Sequence, residues 1–211
     1  MKSRRPVVLI FGEGTGARGS NDARALVHLL KLANPDLRDR YDIKAMKRPV
    51  SLTRTAKRDA VRSWLSDVES VAKAALTDVA AIIIHRDSDG PDPQGRQYAV
   101  LAKDLTEQLS AFPAVPAVPV QMIEAWWFLF PDAVRAVAPG AWRDLKLPTG
   151  DVETVSDPKR HLVRLTDKTP RTYRESDSEE IAKEILAQGR KPVRTSKSWT
   201  RFVDDARRIG G

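Results

Sequence analysis

The sequence contains no cysteine. That absence excludes a disulfide framework, a thiolate metal site and a cysteine nucleophile. Histidine is nearly as scarce, with only His28, His85 and His161, so a zinc site built on imidazoles is not expected. No apolar run approaches a membrane span, and Met1-Lys2-Ser3-Arg4-Arg5 leads into only Val7 to Phe11, too short for a signal-peptide core. A cytoplasmic protein without a membrane partner is the expectation. No Gly-Lys-Ser or Gly-Lys-Thr occurs, which removes a Walker A phosphate loop. No Ser/His/Asp or lysine-nucleophile arrangement can be assembled from the spacing.

What is present is globular in character. The 211 residues are 41% hydrophobic and 30% charged, which suits one α/β domain with an extension. The net charge of +8 points to a polyanionic partner, nucleic acid before membrane, because no strongly amphipathic basic helix stands out. A basic surface that serves only solubility is the plainer account of the same charge.

The chain is organised around Ala80-Ala81-Ile82-Ile83-Ile84-His85-Arg86-Asp87-Ser88-Asp89-Gly90. A short apolar run rich in β-branched residues reads as a strand buried on both faces. Its carboxyl end carries Asp87 and Asp89, and ligands of open α/β sheets collect at such ends. Hard divalent cations prefer carboxylate, water and phosphate oxygens, so the pair reads as a Mg²⁺ or Mn²⁺ site. The competing account is an Asp/Asp/Gly turn whose side chains cap backbone amides. His85 reads as a hydrogen-bonded core residue rather than a ligand.

A second buried strand, Val7 to Phe11, is followed by Gly12-Glu13-Gly14-Thr15-Gly16-Ala17-Arg18-Gly19 and by Ser20, Asn21 and Asp22, all good helix caps. Helices are predicted after these caps to Ala33, over Lys57 to Leu76, and around Tyr98 to Leu109, where apolar residues recur at helical spacing. Tyr41 to Met46 and Val115 to Met122 are weaker strands, the latter placed at an edge or started late by Pro116 and Pro119. The β-α-β-α-β-α-β order predicts a mostly parallel sheet with helices on both faces. Beyond Pro131 the pattern becomes helical, over Asp132 to Ala138, Asp157 to Leu165, Ser178 to Ala187 and Trp199 to Ile209. We therefore divide the chain into an α/β domain over 1–130 and a basic helical extension over 131–211 packed on it.

Gly14 to Gly19 is a literal G-x-G-x-x-G, so a dinucleotide site must be weighed. Glu13 would repel a pyrophosphate there, and Met46-Lys47-Arg48 at the end of the second strand supplies no acid for a ribose. The alternative makes Glu13 the functional group and the glycines its access. If the first and third strands are neighbours, Glu13, Asp87 and Asp89 converge on one edge. Such crowding is costly unless a cation neutralises it.

A Glu after the first strand and a later strand ending in Asp-x-Asp resemble the Toprim domain of topoisomerases, bacterial primases and OLD-family nucleases. The resemblance covers about residues 6 to 122 and implies Glu13 as the acid/base group and Asp87 and Asp89 as metal ligands. Glu124-Ala125-Trp126-Trp127-Phe128, Glu153 to Arg160, Tyr173, the helix from Ile181, Val193-Arg194, Trp199 and Phe202 are similar to a small bacterial Toprim-like family of unknown function. Its members are often encoded beside an ATPase and linked to phage defence. Departures are Arg18, where an acid more usually follows, and Asp92 as the lone extra acid beyond Pro91.

Glu124 begins a segment directly after the fourth strand and is a candidate further metal ligand, or an acid placed at a helix N-terminus. Trp126, Trp127, Phe128 and Phe130 read as core rather than as base-stacking platforms. Arg18, Lys159 and Arg160 are candidate phosphate contacts, the last two at a helix start. Lys168, Arg171, Arg174, Arg190, Lys191, Arg194, Lys197 and Arg201 form a candidate backbone-tracking surface. The expected function is a Mg²⁺- or Mn²⁺-dependent nuclease on DNA or RNA with an ATPase partner. A non-catalytic nucleic-acid or partner-binding module and a nucleotide-cofactor protein are the rivals, and a homo-oligomer remains open.

Overall fold

The computed structural model describes residues 5–12, 20–46 and 58–210, without the side chains of 58–60. Four strands form one sheet: β1 (Val7–Phe11), β2 (Asp42–Ala45), β3 (Val79–His85) and β4 (Ala114–Ala117). Their order is β2-β1-β3-β4 and every pairing is parallel. The protein is thus α/β with helices on both faces. In β1, Val8 and Ile10 face one core and Val7, Leu9 and Phe11 the other; in β3, Ala81 and Ile83 oppose Ile82 and Ile84 in the same way. Burial on both faces explains why these strands read as unbroken apolar runs.

Helix α1 (Asn21–Ala33) covers the first face. Helices α3 (Arg58–Lys73) and α4 (Arg96–Gln108) cover the second, α3 through Val61, Trp64, Leu65 and Val68. A one-turn helix, α2 (Leu37–Arg40), was not apparent from periodicity because four residues carry too little of it. Strand β4 ends at Ala117, short of the Met122 expected from sequence, and lies at the sheet edge, where Pro116 needs no partner for its missing N–H.

The remaining helices are α5 (Glu124–Trp127), α6 (Pro131–Val137), α7 (Pro139–Trp142), α8 (Pro158–Thr166), α9 (Asp177–Gln188) and α10 (Lys197–Arg207). The helical segment does not build a separate core. Its α9 and α10 pack on α1, and their apolar residues join the core that faces Val8 and Ile83. Trp126 and Trp127 are fully buried. Trp126 lies 5.3 Å from the ring of Trp199 and 5.2 Å from that of Phe202, separations at which aromatic pairs add to area burial. The Trp126 indole N–H donates to Ser198 Oγ at 3.0 Å, and the same hydroxyl accepts the Val120 amide at 3.3 Å. Asn34 at the end of α1 donates to the carbonyls of Ala206 and Ile209. These contacts clamp the chain end to the sheet. Among the described residues, no helix is long and apolar enough to cross a membrane.

Replacing Trp126 by Ala removes the ring contacts and one of the donors to Ser198 Oγ. We expect a loss of ~3–5 kcal/mol in urea unfolding. A loss below ~1 kcal/mol would show that α10 is held by something other than this cluster.

Candidate active site at the carboxyl edge of the sheet

From β1 the chain steps to β2 on one side and to β3 on the other, so the topological switch point lies between β1 and β3. Their carboxyl ends are side by side, with Phe11 opposite Ile84. Close approach is enforced at Gly12, where an added Cβ would stand 2.4 Å from Ser20 Oγ. Ser20 in turn caps α1 by accepting the Ala23 amide at 3.0 Å. The first turn of α1 therefore sits directly over the strand ends, and it carries Asp22.

Beyond β3 the chain stays hydrogen-bonded to the continuation of β4, through Ser88 N–H to the Pro119 carbonyl and Asp89 N–H to that of Gln121. Asp89 and Gln121 both adopt left-handed backbone, at φ 55° and 68°, a conformation that costs a non-glycine residue energy and tends to gather at functional edges. Asp87 Oδ1 accepts the Ile123 amide at 3.0 Å and lies 3.3 Å from Nε2 of the fully buried His85. Since Ile123 precedes α5, that bond sets Glu124 beside Asp87. Glu124 is only 5% exposed.

The far wall comes from the C-terminal helices. Helix α8 packs on α5 and carries Lys159 in its first turn, after Asp157 caps the Arg160 amide at 3.1 Å. Asp157 holds φ 46° immediately before Pro158, a strained arrangement. Tyr173 is buried, with its amide fixed by Thr166 Oγ1 at 2.8 Å. Its hydroxyl donates to Glu124 Oε1 at 3.3 Å and lies 2.9 Å from Ser178 Oγ. Lys159 Nζ pairs with Glu175 on the same connection.

The electrostatics follow from this crowding. Glu124 is pushed up to about 8, first by burial and then by the Asp22 and Asp87 carboxylates. Asp22, which keeps some solvent contact, is pushed up to about 6 by burial; Asp87 and Glu175 add to the shift, while His85 and Lys159 oppose it. Burial also drives the Tyr173 phenol well above its usual range, with Glu124 acting in the same direction. Burial lowers Lys159, but its bond to Glu175 and the charges of Glu124 and Asp22 more than compensate, so its net shift is upward. Among the described residues the edge thus gathers carboxylates, of which Glu124 holds its proton most tightly, with Lys159 beside them.

Of the residues expected from sequence, Asp87, Glu124 and Lys159 are brought together. Asp89 and Arg160 are exposed. Glu13, Arg18 and the rest of the glycine loop lie outside the described residues. Asp22 looked like a helix cap, a role that Ser20 takes instead, and His85 stands at the edge although it is core. The signal for Asp22 was its place in the first turn after β1. Asp92 accepts the Arg96 and Gln97 amides at 2.7 and 3.0 Å and so serves α4. Glu153 likewise accepts the Ser198 amide and the Ser196 hydroxyl. Arg171 is held by Asp177 and by the Trp142 ring. Among the described residues, no group of three or more His, Asp or Glu side chains is arranged to hold a metal ion. Comparison with family models, with curated proteins and with solved structures finds no match.

The raised Glu124 makes a signed prediction. A carboxyl that holds its proton more tightly when folded stabilises the fold below its usual value of 4.5, and that stabilisation is lost as pH rises through about 8. Asp22 acts in the same direction over a lower window, from 3.8 to about 6. Glu124→Gln cannot ionise, so urea unfolding should show a flatter fall in stability between pH 4.5 and 8 than the wild type. Parallel pH profiles for the two proteins would contradict the assignment.

Proposed function

We propose that the chain is a Toprim-like nuclease that hydrolyses phosphodiesters of DNA or RNA with Mg²⁺ or Mn²⁺ at this edge. The observation that carries the reading is the convergence of Asp22, Asp87 and Glu124 at the β1–β3 switch point. The neighbouring carboxylates raise one another, and a bound cation would relieve that repulsion further than Lys159 and His85 do.

The donor set fits a hard divalent ion in kind, since it is all carboxylate oxygen and contains no thiolate. Asp87 and Glu124 would hold the ion, with Asp22 added by its position and Asp89 and Glu13 by resemblance. Such an ion supplies polarisation of the phosphate and a lowered pKa for an attacking water. The chain's own residues do the rest. Lys159 can exchange Glu175 for a phosphate oxygen. Tyr173 orients Glu124, and His85 and the Ile123 amide orient Asp87. Glu13 is the acid/base group in this reading. An ATPase partner that admits the nucleic acid, in a phage-defence setting, rests on the resemblance alone.

One observation favours a second reading, a non-catalytic nucleic-acid or partner-binding module: the described acids are not grouped to hold an ion. Titration calorimetry of Mg²⁺ and Mn²⁺, paired with cleavage of labelled DNA and RNA, separates the two. The nuclease reading expects Asp87→Ala to lower cation affinity by at least ~10–100-fold and to abolish cleavage. Cleavage that survives Asp87→Ala would remove the proposed site. A wild type that binds nucleic acid without ever cutting it would establish the binding module.

A further inference from the structure

A second feature lies away from the carboxylate edge. Arg190, Lys191, Arg194, Lys197 and Arg201 fall in one stretch without an Asp or Glu. Three of them, Arg194, Lys197 and Arg201, line a groove of about 540 Å³ with Thr195, Thr200 and Asp151. A smaller groove of about 190 Å³ shares Lys197 and Asp151 and continues to Val120, Pro91 and Pro93. The shared residues make the two one trough, and Pro91 follows the Asp89-Gly90 turn at the end of the β3 extension. At that end the lining residues are Pro91, Asp92 and Pro93, which follow Asp89 in the chain.

Two of the groove's cations, Arg194 and Arg201, are held in place. Arg194 donates to the Phe128 and Leu147 carbonyls, and the Arg201 guanidinium lies 5.4 Å from the centre of the Tyr98 ring and close against Gly95. A guanidinium already fixed loses little entropy when a phosphate arrives. The nearby acids are engaged: Asp92 binds the start of α4 and Glu153 the start of α10. Asp151, which accepts the Glu153 amide at 3.0 Å, is the remaining exposed acid of the trough.

We propose that this trough binds the phosphate backbone of a nucleic-acid strand and directs it toward the carboxylate edge. The choice of ligand rests on the nuclease reading, but the binding itself needs no divalent ion. The test is fluorescence anisotropy of the full chain with short labelled oligothymidylate and oligouridylate, in chelator, over a salt series.

Wild type should bind and weaken with salt. Lys197→Glu should lose ~10-fold or more in affinity and reduce the salt slope by about 1–2, while Lys197→Arg should restore both. Lys103→Glu on α4 makes the same change in net charge and should leave binding near wild type; tighter binding of one oligomer decides between DNA and RNA. The trough is overturned if wild type binds neither oligomer. It is equally overturned if Lys197→Glu and Thr200→Glu, both melting as wild type does, bind as wild type does. Binding that depends on Lys197 without any cation-dependent cleavage supports the trough and removes only the nuclease reading. Cation-dependent cleavage with an unchanged KM in Lys197→Glu removes only the trough.

Discussion

The Asp87 carboxylate accepts the Ile123 amide, and much of the local architecture depends on that bond. It ties the end of the central strand to the start of α5, so Glu124 is placed beneath the C-terminal helices instead of in solvent. A buried amide without this acceptor would cost about 1–3 kcal/mol. With it, the segment from Val120 to Phe130 can pass across the sheet edge and bury its aromatic residues.

Those aromatics make the helical segment part of the core. Trp126 contacts Trp199 and Phe202 and shares Ser198 with the Val120 amide. The chain after Pro131 thus packs on α1 over the first sheet face, and it also supplies Lys159 from α8 and Tyr173 and Glu175 from the connection before α9. Burial and site formation are two results of the same packing. A sheet domain without these helices would expose α1 and leave Glu124 solvated, with its carboxyl nearer the ordinary range.

The edge works against stability. Burial and mutual repulsion raise Glu124 to about 8 and Asp22 to about 6, and the backbone is left-handed at Asp89, Gln121 and Asp157. Strain and crowded like charges at one place, with well-matched apolar packing elsewhere, are the pattern expected where local rules yield to a site. The acids outside the edge behave differently. Asp92 and Glu153 accept amides at helix starts.

The alternation of strands and helices is legible in the chain. Apolar runs at Val7–Phe11 and Ala80–Ile84 and the helical spacing through Trp64 and Leu65 are local patterns that burial dictates directly. The sequence also marked Asp87, because a carboxylate after a buried strand stands out against its neighbours, and Glu124 and Lys159 by their places at element starts. Periodicity could not show that Ser20 caps α1 and frees Asp22 to face the strand ends, that Asp89 turns outward, or that Tyr173 reaches Glu124. Those relations join residues far apart in the chain. They were decided by the register between β1 and β3 and by the docking of α8 and α9, since the environment of a carboxylate is set by what packs against it in space.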